Sequence, residues 1–164
     1  DEAEARDILR ARAKGTTDKT MDLSIKGRLG MVIDGTGRDY DKIARQKAIL
    51  DQLGYDCYMI FVNTSLDVAL ERNSKRERSV PEYITRKSHA IVQGNIGKFQ
   101  NSFGMNNMVI IDNSKDDREL TTQIMDRCSK AVRRLLSNKI KSYTAKRWMA
   151  TERRLRRRWN LKTS

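Results

Sequence analysis

Little of the usual catalytic and cross-linking equipment is present. The 164 residues hold one histidine, two cysteines, one proline and only 6% aromatic side chains. His89 stands beside Ala90 and Ile91 with no acid or cysteine arranged around it. Neither a histidine metal cluster nor a Ser-His-Asp relay is supported, and His89 reads as a structural or surface residue. Cys57 and Cys128 lack metal-ligand spacing and read as two reduced, buried thiols rather than a bridge. No apolar run approaches the ~20 residues that cross a bilayer, and no secretory leader is visible. A cytoplasmic setting is therefore expected. The most consequential absence is a glycine-rich phosphate cradle, since neither GxxxxGKS nor GxxxxGKT occurs between Asp1 and Ser164. The sequence also opens at Asp1 rather than at a methionine, as a processed product or a stretch of a longer protein would.

What is abundant is positive charge. The formal net charge is +13, and it is uneven. Between Lys139 and Lys162, ten lysines and arginines face the single acid Glu152, so this short stretch carries most of the excess. The apolar fraction of 38% is enough for one ordinary core. The chain therefore divides into a body over 1–138 and a basic, tryptophan-containing helix or tail over 139–164.

Periodicity places a polar helix over 1–13 ended by Lys14-Gly15, a strand over 29–33, and a helix over 39–53 stopped by Gly54. The nearly all-apolar run Asp56–Val62 suits a parallel strand covered on both faces. A short helix starting near Leu66, a long helix over 82–103, a third strand over 108–113 and a helix over 116–136 complete the body. Strands alternating with helices predict an α/β fold: a mainly parallel three-layer sheet, short of elements at its N-terminal side.

The first strand ends in Asp34-Gly35-Thr36-Gly37-Arg38, an acid followed by a small-residue turn at the carboxyl edge where open α/β sheets bind ligands. A carboxylate there can hold magnesium, or merely form a turn. Met31–Arg38, Gly54–Val62, Ala69–Asn73 and Arg76–Pro81, in this order and spacing, resemble the P-loop kinases of the zeta-toxin and polynucleotide-kinase type. The resemblance covers about residues 29–113. It implies a P-loop kinase core whose N-terminal Walker A portion is absent, with that missing segment or a partner chain as its complement. ATP and Mg2+ would be the cofactors of the complete protein. Asp34 would be a Walker B-like acid and metal ligand, and Gly35, Thr36, Gly37 and Arg38 a phosphate or acceptor loop. Arg72, Arg76 and Arg78 would be lid arginines. The frequency of small kinases of this kind in large phage genomes adds an association with bacteriophage, in the host cytoplasm or the virion interior.

Arg147, Trp148, Arg153, Arg154, Arg156, Arg157, Arg158 and Trp159 interleave guanidinium and indole groups, which suits nucleic acid, an acidic protein surface or, less well, a membrane surface. Two classes of function follow. One is the C-terminal part of a small ATP-dependent phosphotransferase. The alternative is a catalytically degenerate kinase-like structural or interaction module, virion-associated or otherwise, that uses the basic tail.

Overall fold

The computed structural model describes residues 2–114 and 118–163. The chain divides into two compact units, Asp1–Gly35 and Thr36–Ser164.

In the first unit, α1 (Glu2–Lys26) runs unbroken through Lys14-Gly15, which the sequence reads as its end. The hydroxyls of Thr16, Thr17 and Thr20 donate to carbonyls four residues earlier, so these weak helix formers bond within the helix itself. Ion pairs Arg10–Asp7 and Lys26–Asp22 run along its surface. The helix closes in a Schellman arrangement: Leu29 N–H donates to Ser24 and Arg28 N–H to Ile25, with Arg28 itself at φ 54°. The predicted strand over 29–33 does not form. Its first residue is already used by that cap, Gly30 interrupts it, no strand pairs with it, and Val32 is fully exposed.

The second unit begins its regular structure at α2 (Tyr40–Gln52), where the Asp39 carboxylate accepts from Lys42 N–H at 3.0 Å. Strand β1 (Met59–Asn63) is followed by α3 (Leu66–Ser74) and α4 (Glu82–Phe103), and the chain returns to β2 (Met108–Asp112) through a 3-10 turn at Met105–Asn107. The two strands are parallel, with Met59 opposite Met108 and Asn63 opposite Asp112. Next come α5 (Arg118–Leu136) and α6 (Tyr143–Thr163). Asp116, at the start of the helix read from sequence, lies outside the described residues.

Among the described residues the sheet has two strands, which corrects the expected mainly parallel three-layer sheet. Helix dominates. Phe61, Phe99, Phe103 and Met108 form the buried cluster, with Tyr40, Ile43, Val92 and Ile96 packed around it. Ile60 and Val62 remain 41% and 58% exposed, so the apolar run of β1 is covered on one face rather than two. Apolarity alone does not distinguish a doubly covered strand from one lying at an edge.

Candidate functional site

Three polar regions of the second unit are candidates. The carboxyl ends of β1 and β2 form the first. Gln93 Nε2 donates to Asn63 Oδ1 at 2.6 Å, and His89 Nε2 lies 2.8 Å from the Thr64 carbonyl. The Asp112 carboxylate accepts from the Ser114 backbone and hydroxyl, while Ser65 N–H donates to Ser114 Oγ at 2.8 Å. These bonds tie the strand ends to each other and to α4. His89 is thus a half-buried clasp, in keeping with its structural reading.

The second region is an open cleft of about 590 Å3, lined by Thr36, Arg38, Asp39, Tyr40, Asp41, Ile91, Asn95 and Lys98. Its floor depends on Asn95, which is 5% exposed and donates from Nδ2 to the carbonyls of both Gly37 and Arg38 at 3.0 Å. Gly37 sits at φ 70°, a left-handed conformation that favours glycine, and a side-chain carbon there would be in ordinary contact with Phe61, Phe99 and Val92. Lys98 lies 5.6 Å above the Tyr40 ring.

Thr36 and Arg38 therefore share one cleft with Lys98, whereas Arg72, Arg76 and Arg78 are not among its lining residues. Arg72 is half-buried in the last turn of α3, and Arg76 and Arg78 are exposed on the following loop. That loop is closed at its neck by Asn73, whose Nδ2 donates to Val80 O at 2.7 Å and whose Oδ1 accepts from Val80 N–H at 3.0 Å. Glu71 pairs with Lys75 at 2.6 Å; the hydrogen bond and charge of Lys75 hold its carboxyl below the ordinary range. Asp34 and Gly35 belong to the first unit, where both are exposed on irregular backbone rather than at the end of a strand. Among the described residues no group of three or more His, Cys, Asp or Glu side chains could hold a metal.

The third region is α6. Its start seats on Gly54, buried and at φ 96° just past α2; a Cβ there would lie 2.9 Å from Ala145 N and 3.2 Å from Thr144 Cβ. Only glycine permits both that conformation and that approach. Lys141 N–H also faces the Asp56 carboxylate at 3.4 Å. Ser142, Ala145, Met149 and Glu152 are half-buried, while Lys146, Arg147, Arg153, Arg154, Arg156, Arg157 and Arg158 are exposed. Trp159 is 72% exposed and Trp148 is 37% exposed. Among the described residues no helix is long and apolar enough to cross a membrane.

Asn73, Asn95 and Gln93 were not singled out by sequence reasoning. The one available signal was Gly94-Asn95-Ile96-Gly97, a polar residue between glycines on an otherwise apolar helix face.

Comparison with known proteins gives one family. The Zeta toxin model matches residues 1–130. No curated protein and no solved structure matches. The match begins at residue 1 and corrects the expectation that the family's N-terminal portion is absent. Residues 2–28 form a polar helix and its cap, without the strand and turn signatures that carried the resemblance from residue 29 onward.

Proposed function

Because the chain belongs to the Zeta toxin family, we propose that it is a kinase-lineage module that binds nucleic acid through α6. The observation that carries this reading is the docking of the α6 start on Gly54, which leaves seven lysines and arginines exposed along one helix. Phosphates neutralised by such a helix release counterions, and guanidinium groups supply planar donors for phosphate oxygens. An acidic protein surface would be attracted by the same charge. Nucleic acid is favoured because seven cations within thirteen residues make a charge density that suits the closely spaced phosphates of a polyanion.

The test is a filter-binding titration with short DNA and RNA at ~50 and ~200 mM salt. With six or more phosphate contacts, affinity is expected to fall roughly 10^3-fold between the two. Replacing Arg153, Arg154, Arg157 and Arg158 by alanine together is expected to remove most of the binding at the lower salt. Absence of binding at both concentrations would overturn the reading. A parallel titration with ATP and Mg2+ addresses the family's phosphotransfer lineage. Tight ATP–Mg2+ binding lost in Arg38→Ala, with no affinity for nucleic acid, would shift the function to the cleft of Thr36 and Arg38. Asp34, Arg72, Arg76 and Arg78 would then be the next residues to vary.

A further inference from the structure

We infer that α6 lies lengthwise in the major groove of double-stranded DNA, one row of cations on each phosphate backbone. The inference rests on the nucleic-acid reading and names the form of nucleic acid. At about 100° per residue, Lys146, Arg153 and Arg157 fall in one row, and Arg147, Arg154 and Arg158 fall in a second row one residue further round. The rows are thus roughly 100° apart around the axis, and each extends about 16 Å. Between them Ala150 falls within the span of the rows, with Tyr143 and Leu161 beyond their ends. The six row residues, Tyr143 and Ala150 are all exposed. The half-buried Ala145, Met149 and Glu152 occupy the opposite side, so docking of the helix start leaves both rows accessible.

Two further features favour a groove over a flat surface. From Arg153 to Trp159 every residue is exposed, so this half of the helix has solvent on all sides. Midway between the rows, Ala150 offers only a methyl group, which lets the backbone approach the floor of a groove. An α-helix with its side chains is ~10–12 Å across, and the major groove of B-form DNA is about 12 Å wide. Duplex RNA fits poorly, because its major groove is deep and narrow. A single strand has one backbone and would leave one row idle. Trp159 stands outside both rows, so base stacking does not account for their arrangement.

The experiment is an anisotropy titration of the full chain with three probes: a 20-base-pair DNA duplex, one of its strands, and the RNA duplex of the same sequence. At moderate salt the DNA duplex is expected to bind about 10-fold or more tighter than either other probe, since engaging both rows roughly doubles the phosphates neutralised. Ala150→Glu, which exchanges one strong helix former for another, is expected to weaken duplex DNA about 10-fold and single-stranded DNA by less than about 3-fold. Lys130→Ala, an exposed cation of α5 rather than α6, is expected to cost less than about 3-fold. Circular dichroism of each variant checks that helix content is kept. Dimethyl sulfate footprinting is expected to show protection at guanine N7, which faces the major groove. Equal affinity for all three probes, or unchanged duplex binding in Ala150→Glu, would overturn groove insertion and leave nucleic-acid binding standing. Binding to poly-glutamate with none to any nucleic acid would overturn both.

Discussion

Cys57 is a half-buried free thiol beside the Asp51 carboxylate. Burial first, then the charge and hydrogen bond of Asp51, push its pKa from 9.0 up to about 12, with Lys47 opposing. Lys47 is itself paired with Asp51 at 2.5 Å, which limits its influence on the thiol. Below pH 9 the thiol is protonated in both folded and unfolded chains and contributes nothing to pH dependence. Between pH 9 and 12 the unfolded chain releases the proton while the folded chain keeps it, so stability falls as pH rises. Cys57→Ser is expected to lose this component. Thermal melts at pH 8, 9, 10 and 11 should show a shallower alkaline decline for the variant than for the parent; parallel declines would remove Cys57 from the alkaline transition. The sequence indicated a reduced, buried thiol, but not its carboxylate neighbour, because Asp51 reaches Cys57 only after the chain turns back at Gly54.

At the scale of elements, the loop bearing Arg76 and Arg78 is held at its neck by the paired bonds of Asn73 with Val80. Exposed arginines on a loop are trypsin targets only when the backbone can extend into the protease. Asn73→Ala removes both bonds, at roughly 1 kcal/mol each, and is expected to raise the open population and the cleavage rate after Arg76 and Arg78 about 10-fold or more. An unchanged rate in timed digestion followed by mass spectrometry would show that the neck bonds do not govern opening. How much of this was legible differs between elements. The helix over 39–53 and the strands over 56–62 and 108–113 were readable, to within three residues at their ends, because each has a capping residue or a dense apolar run. The strand over 29–33 was misread, because a strand exists only in pairing and five apolar-rich residues carry no information about a neighbour. The end of α1 was misread because Lys14-Gly15 is a weak stop: one glycine inside a helix costs only about 1 kcal/mol relative to alanine. The cleft was partly legible: Thr36 and Arg38 were named from sequence, but Asn95 and Lys98 join them from α4, nearly sixty residues away. Long-range closure of that kind leaves no local pattern.

For the second unit as a whole, three phenylalanines decide whether the layers hold together. Phe61 comes from β1, and Phe99 and Phe103 come from α4; these are all the phenylalanines in the sequence. Phe99 is the pivot, with none of its surface exposed. Its ring centroid lies 5.3 Å from that of Tyr40 of α2, and 6.4 Å from those of Phe61 and Phe103. It therefore joins helix, helix and strand at a single point, and Gly37 of the cleft loop lies close enough that a side-chain carbon there would contact the Phe61 and Phe99 rings. Among the described residues the sheet has two strands, one side of β1 stays exposed, and the buried apolar side chains outside this cluster are Leu50, Ile111 and Leu135. Truncating such a residue to alanine costs about 3–5 kcal/mol, against a total stability of roughly 5–15 kcal/mol for a domain. Phe99→Ala is thus expected to remove cooperative unfolding of the second unit, while Phe99→Leu retains a transition at reduced stability. Urea titration followed by far-UV circular dichroism distinguishes the two. A Phe99→Ala midpoint close to that of the parent would mean that the unit is held together elsewhere, through the hydrogen-bonded strand ends of Asn63, Gln93 and Asp112 rather than through its aromatic centre.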